Sequence, residues 1–402
     1  MIDKKIDLYN DCVGCHACSN ICPENCISMI ADKDGFLFPK VDYDLCISCE
    51  QCVDVCPILK VKEIDNKPSA YACINKDDLV RSESSSGGVF TLVAEYVLDN
   101  KGYVFGASFN DEFELEHVHI NTKDQLSRLR GSKYLQSKIG NSYNNVKTFL
   151  DSNKLVLFTG TPCQIAGLKS YLGNKDYDNL LTIDIVCHGV PSPKVWNKYL
   201  NFRKSKANSS LKKVSFRNKK DGWKGYSVLF LFDNTEYQKS HRDDLYIKAF
   251  LTDVCLRKTC YNCNFKSVNR QSDLTLADFW GIQNVLPEMD DDKGTSLIFI
   301  NSQKAHDIFI ALSNAMIFKQ VDINEAVKYN PSAISSVKEN PCRNNFFRDL
   351  DTVRFDKLVK KYCKKKLSLK TILYRLLRKL KVISILQLFK RSFKTSNNHP
   401  LR

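Results

Sequence analysis

No uninterrupted apolar stretch in this chain approaches the roughly 18–20 residues that a membrane-spanning helix needs. The opening "MIDKKIDLYN" also lacks the apolar centre of a secretory signal. Both absences point to a protein that stays in the reducing cytoplasm. Acidic residues run short in one place: residues 354–402 hold sixteen Lys/Arg against one acid, Asp356. The remainder carries 44 charges of each sign, so the net +15 belongs to the tail and the body is neutral. A neutral body without an RNA- or DNA-binding motif argues against nucleic acid as a partner. The 402 residues are otherwise of ordinary globular composition and long enough for two or three domains.

Cysteine is present in excess, with seventeen in all. In a reducing compartment that number means metal or catalysis more often than disulfides. "CVGCHACSNICP" sets Cys12, Cys15, Cys18 and Cys22 at spacings x2, x2, x3 before Pro23, and "CISCEQCVDVCP" repeats this with Cys46, Cys49, Cys52, Cys56 and Pro57. This is the signature of a bacterial two-cluster ferredoxin, in which the fourth cysteine of each run reaches the other 4Fe–4S cube. Cluster one is therefore expected on Cys12, Cys15, Cys18 and Cys56, and cluster two on Cys46, Cys49, Cys52 and Cys22. Two intact repeats argue against a pair of zinc sites. A module of under sixty residues is too small for its own core, so metal binding supplies much of its folding energy. Cys26 falls outside the pattern and reads as a small buried residue, and His16 as a solvated spacer.

After a polar stretch at residues 57–70, "SESSSGGVFTLVAEYVLDN" reads as a Ser/Gly turn feeding a helix, whose free N–H groups suit a phosphate or merely need a cap. "GYVFGASFN" and "LEHVHIN" alternate like paired strands, and "LRGSKYLQS" gathers Arg, Lys, Tyr and hydroxyls in one loop. "KLVLFTGTPCQIAGLKSYL" and "NLLTIDIVCHGVPSP" each run a strand into a cysteine, Cys163 and Cys187. With a helix between them the strands should be parallel neighbours, and open sheets bind ligands at the carboxyl ends of such strands. "VSFRNKKDGWKGYSVLFLF" reads as a hairpin, and "DLTLADFWGI" and "DDDKGTSLIFIN" as strands closing the body near residue 301. Cys260 and Cys263, a chelating pair in "CLRKTCYNCNFK", make a set of four with Cys163 and Cys187. That set suits a third 4Fe–4S cluster, a structural zinc, or four unrelated buried cysteines, and Cys255 is a possible substitute member.

Together these motifs resemble the beta subunits of coenzyme F420 hydrogenases and dehydrogenases over residues 5–305. The likeness rests on the double ferredoxin motif, "SSSGGVF", "RGSKYLQS", "GTPCQIAGL", "CHGVPSP", "CYNCNFK", "SDLTLADFWG" and "DDKGTSL", in that order. It implies an FAD in the central region, a cluster on Cys163, Cys187, Cys260 and Cys263, and a substrate site that in the named enzymes takes the deazaflavin F420. It places flavin contacts at Ser85, Ser86, Gly87, Gly88, Arg130, Ser132, Lys133, Tyr134 and Gln136, with Thr161 and Thr295 as further candidates. Lys133 and Arg130 would steady negative charge on the flavin or its phosphates. His188 is a candidate for proton transfer or for bracing the cluster, and Asp278 reads as a turn cap. No catalytic residue is assigned.

The expected architecture is α+β: a two-cluster ferredoxin module at residues 1–60, a mixed α/β flavin-binding body in two regions at 61–150 and 151–310, and a basic helical tail at 311–402. The expected function is an iron–sulfur flavoprotein oxidoreductase passing electrons between ferredoxin-type clusters and an organic two-electron substrate, F420 or another small acceptor, through FAD. The alternative is an electron-transfer subunit working with a redox partner protein, or an accessory reductase of surface polysaccharide synthesis. In the tail, "LSLKTILYRLLRKLKVISILQLFKRSF" sets apolar residues at helical spacing against Lys and Arg. It suits contact with an acidic membrane surface from the cytoplasmic side, or docking on protein.

Overall fold

Each N-terminal cysteine repeat carries a short helix, Ala17–Ile21 and Gln51–Asp54, and between them lies an antiparallel hairpin of β1 (Ile27–Ala31) and β2 (Leu37–Val41). The computed structural model describes residues 1–363. The two repeats bend alike: Gly14 and His16 (φ 66° and 64°) in the first, Ser48 and Glu50 (φ 56° and 60°) in the second, are left-handed on either side of a cysteine. Such turns aim successive N–H groups at one point, as an anionic sulfur cage requires. The module has no core to itself. Its Val13, Ala17, Ile27, Val41 and Val55 share one apolar cluster with Phe105, Tyr143, Phe158, Ile165 and Leu168 of the body.

The body strands are β3 (Ser69–Asn75), β4 (Tyr103–Phe109), β5 (Leu115–Ile120), β6 (Val156–Gly160), β7 (Leu180–Ile185), β8 (Leu211–Asn218), β9 (Ser227–Phe232), β10 (Glu236–Ser240), β11 (Leu274–Asp278), β12 (Ser296–Ile300) and β13 (Met316–Val321). Eight form one sheet in the order β13-β3-β12-β11-β7-β6-β4-β5. Its middle, β11-β7-β6-β4, is parallel, and both flanks are antiparallel. The expected pairing of β6 with β7 is present in parallel register, Val156 opposite Leu180 through Gly160 opposite Asp184. β4 and β5 pair antiparallel, as their alternation suggested. One face of the sheet is covered by the helices Ser142–Asp151 and Pro162–Tyr171 and by the ferredoxin module. The other face packs on the helix Val89–Asp99 and on Ile308 and Phe309 of the helix Gln303–Ala311. β8, β9 and β10 make a separate antiparallel sheet, confirming the hairpin.

The two regions of the body, 61–150 and 151–310, share one sheet, in which β12, β11, β7 and β6 lie between β3 on one side and β4 and β5 on the other. One expected boundary needs correction, since the body does not close at residue 310. β13 pairs along β3 from Met316 opposite Asn75 to Val321 opposite Ala70, and Phe355 of the helix Phe355–Tyr362 lies 5.1 Å from the Tyr199 ring. β13 is an edge strand that leaves Ile317 and Phe318 exposed, so it lacks the inside-outside alternation that marks a strand in sequence. The basic amphipathic segment expected at residues 369–386 lies outside the described residues. Among those described, no helix is long and apolar enough to cross a membrane.

Candidate functional site

Among the described residues, three cavities are each lined by four or more cysteines. Cys12, Cys15, Cys18 and Cys56 line one, with Val13 and Ile58. Cys22, Cys46, Cys49 and Cys52 line a second, with Pro23 and Val41. These are the two crossed sets that the repeat spacing implies. Cys26 is buried, as expected, and also borders the second cavity, its sulfur 3.3 Å from that of Cys22. His16 is buried, not solvated, with an Nε2 that has no partner in the structure. The second cavity faces outward: Cys49 is exposed, and Leu45 and Ile47 beside it are 58% and 62% exposed.

Cys163, Cys187, Cys260 and Cys263 line the third cavity, together with His188, Arg257, Lys266 and Arg270. The local sequence explains the convergence. β6 ends at Gly160, Thr161 caps the helix Pro162–Tyr171 with proline in its first turn, and Cys163 therefore sits at the carboxyl edge of the sheet. Cys187 leaves β7 at the same edge, one strand over. The bridge between Pro191 and Leu256 ties the loop after β7 to the Cys260–Cys263 segment. Gly189 (φ 151°) is where the two segments touch, since a Cβ there would meet Leu256 at 2.9 Å and the Cys260 Cβ at 3.3 Å. Cys255, the possible substitute, is fully buried and does not line this cavity.

Burial pushes the Cys163 thiol well up, pushes Cys187 up against the opposing pull of Lys266, and pushes Cys260 up to about 12. Thiols so placed ionise when a metal takes the proton's position. The Lys266 ammonium donates to the Cys187 and Ser332 carbonyls and so holds a positive charge at the cavity wall. His188 donates from Nε2 to the Asp253 carboxylate, 2.6 Å away, which anchors the ring at the cavity. Among the described residues, no three His, Cys, Asp or Glu side chains gather tightly enough for a single metal ion.

The first and third cavities adjoin. Val13 lines both, and the helix Pro162–Tyr171 passes so close to Cys15 that a Cβ on Gly167 would lie 3.0 Å from the Cys15 sulfur. Arg257 clamps the contact, donating to the Cys12 carbonyl (2.7 Å), the Leu37 carbonyl (3.1 Å) and the Gln136 Oε1 (3.1 Å). Gln136 and Arg257 leave no room for a side chain at Gly14, whose Cβ would be 2.6 Å from the Gln136 amide nitrogen.

The eleven flavin-segment residues scatter over three places. Ser85 and Ser132 meet directly, Ser132 donating to the Ser85 Oγ through N–H (2.7 Å), and Arg130 pairs with Glu83 beside them. Gly87 and Gly88 sit behind, where Gly87 is pressed against the Cys73 carbonyl and Gly88 (φ 87°) starts the helix Val89–Asp99. Lys133 donates to the carbonyls of Leu129, Arg130 and Gly131, while burial pulls its ammonium down to about 7. Tyr134 stacks on Phe250. Ser86 donates to the Thr295 carbonyl, and the Thr295 hydroxyl is turned to Met289, away from the loops. Gln136 is at the ferredoxin contact, and Thr161 faces Cys163.

Sequence reasoning missed the cation at the centre of this group. Arg217, on β8, forks onto Asp278 (2.6 and 3.2 Å), donates to the Ser85 carbonyl and to the Tyr134 hydroxyl, and keeps an unpartnered, buried Nε. Asp278 is therefore an ion-pair partner that also accepts from the Trp223 indole, not a turn cap. Lys219, two residues on, donates to the Ser86 and Lys293 carbonyls, and burial pulls it down to about 8.

Residues 153–326 match the family described as the C terminus of the coenzyme F420 hydrogenase/dehydrogenase beta subunit, and residues 11–58 match the 4Fe–4S dicluster domain. No curated protein matches the chain. Among solved structures, one chain from a xenon-derivatised F420-reducing [NiFe] hydrogenase complex of Methanosarcina barkeri is similar at 14% identity and a TM-score of 0.44, over 75% of this chain and 94% of that one. A likeness that distant carries no functional argument.

Proposed function

Because residues 153–326 match the C-terminal model of the coenzyme F420 hydrogenase/dehydrogenase beta subunits and residues 11–58 that of the 4Fe–4S dicluster domain, we propose that this iron–sulfur oxidoreductase moves electrons along three cysteine-bound clusters. The line runs from an outer redox partner protein to a flavin and a small organic two-electron substrate. The observation that carries the reading is the succession of three four-cysteine cavities, two of them sharing Val13. Four soft thiolates lining one cavity, beside two ferredoxin-type sets, suit a 4Fe–4S cube, which is the reading taken over a zinc. Arg257, Lys266 and Arg270 around it offset the negative charge of four thiolates.

An FAD would supply the conversion between single electrons and a hydride. The residues present suit its anionic parts. Arg217 has a buried Nε with no partner, and the helix N-terminus after Gly88 and the Ser85–Ser132 pair offer further polar groups. Lys133 and Lys219 bring ε-amino donors into the same loops, and a bound anion would favour their charged forms. The organic substrate is a deazaflavin such as F420 or another small hydride acceptor. Electrons enter or leave at the exposed Cys49 end, where Leu45 and Ile47 give a partner protein an apolar foothold.

Anaerobic purification tests this directly. The wild type is expected to hold about twelve irons, four per cluster, with one flavin. Cys263→Ala is expected to hold about eight irons while keeping the ferredoxin-type EPR signals. A wild type with eight irons and a stoichiometric zinc would overturn the third cluster.

A further inference from the structure

The Thr161 hydroxyl lies 3.1 Å from the Cys163 sulfur and 3.1 Å from the Gln164 Oε1. It has one proton and two acceptors within reach. Which way Gln164 points is fixed by a buried chain behind it. The His117 Nε2 sits 3.0 Å from the Thr159 carbonyl, which can only accept, so Nε2 carries the ring proton. The Nδ1 is then an acceptor and takes the Ser137 hydroxyl proton at 2.8 Å. Ser137, its proton committed, accepts from the Gln164 amide nitrogen at 3.0 Å. The Gln164 oxygen must therefore face Thr161, where it also receives the Thr161 backbone N–H at 2.9 Å. A metal-bound Cys163 is a thiolate with no proton to give, so in that state the contact exists only if Thr161 donates.

We infer that Thr161 is a tuning residue: its hydroxyl donates to the Cys163 thiolate and raises the reduction potential of the third cluster, with Gln164 as the competing acceptor that limits the effect. The inference rests on the third-cluster reading above. Adding an electron to a cube increases negative charge on its thiolate ligands, so a donor to sulfur stabilises the reduced form more than the oxidised one. Thr161 belongs in this role in place of the flavin contact that the family resemblance suggested. Its side chain is committed to the sulfur and the helix cap.

The test is an EPR-monitored redox titration of the anaerobic holoprotein, with the ferredoxin-type clusters as internal references. Thr161→Val, which keeps shape and removes the donor, is expected to lower the third midpoint. The ratio of reduced to oxidised cluster at fixed potential should fall about tenfold, or about 59 mV for one electron. Thr161→Ser should restore the wild-type midpoint. Gln164→Met removes the competing acceptor and is expected to move the midpoint the opposite way, a sign that a purely structural role would not give. It also tests the idea should the valine variant assemble poorly. A valine midpoint equal to wild type, a serine midpoint as low as valine, or a downward shift in Gln164→Met would each overturn the inference. Absence of a third signal in the wild type would instead overturn the reading beneath it.

Discussion

Replacing Arg343 by methionine should loosen the ferredoxin module from the body without touching a cysteine. Arg343 starts the helix Arg343–Asp349, and its buried guanidinium joins three parts of the chain. It donates to the Leu256 carbonyl, the Tyr9 hydroxyl and the Asp34 carboxylate, each at 3.0 Å. The Arg343 and Asp34 side chains are 1% and 5% exposed, so methionine would leave a carboxylate buried without a counter-charge. Breaking such a pair from one side costs about 3–5 kcal/mol, against a typical total of about 5–15. The pH dependence has a definite sign. Burial raises the Asp34 pKa and Arg343 opposes that rise, so removing the arginine raises it further. A carboxyl with a raised native pKa contributes stability in acid and loses it as pH climbs through that value. The loss in Arg343→Met should thus be larger at pH 7.5 than at pH 5.5, and Arg343→Met/Asp34→Asn should recover part of it. Anaerobic urea titration followed by tryptophan fluorescence measures both. Equal losses at the two pH values, or a loss below about 1 kcal/mol, would refute the argument that an unpaired buried charge is the cause. Functionally, electron transfer from the ferredoxin clusters to the third should slow in the single variant while iron content holds.

Lys266→Met should lower the third-cluster midpoint. Lys266 lines the same cavity as the four cysteines, so losing its charge should shift the midpoint by on the order of tens of millivolts; an unshifted midpoint in the redox titration would count against a cluster in that cavity. Arg217→Met should release flavin on desalting while leaving iron at the wild-type level, because Arg217 is central to the Ser85, Tyr134 and Asp278 group and lines none of the three cysteine cavities. Retained flavin would move the cofactor elsewhere.

The parts that were legible in sequence are those whose signals are local. The cysteine spacings name both crossed sets, and the run from Leu155 to Cys163 spells strand, turn, cap and helix within nine residues. The parallel pairing of β6 with β7 follows from the helix between them. What stayed hidden is long-range and side-chain-borne. Arg217 meets Asp278 across 61 residues, and Arg343 meets Asp34 across 309. Neither pair leaves a pattern in the intervening sequence. β13 was hidden for another reason, since an edge strand with an exposed face has no alternation to read. Thr161 was visible in sequence, but its 3.1 Å approach to the Cys163 sulfur was not, because that contact is set by side-chain geometry.

The two ferredoxin repeats are near copies in backbone, yet their surroundings differ in a way that gives the line a direction. At the shared left-handed position, Gly14 presses on Gln136 and Arg257 of the body, while the matching Ser48 is exposed. Repeat one is thus the inner end and repeat two the outer. The outer cavity is lined by Glu24 and Glu50 with no Lys or Arg, the first by no Lys or Arg either, and the third by Arg257, Lys266 and Arg270. Positive charge favours the form that carries the extra electron, so on the three-cluster reading the potential should rise inward and electrons should collect at the third site. That ordering suits reduction of an organic acceptor by an outside donor better than the reverse. It demands that, in a stepwise reductive titration, the third cluster take up its electron before either ferredoxin cluster does.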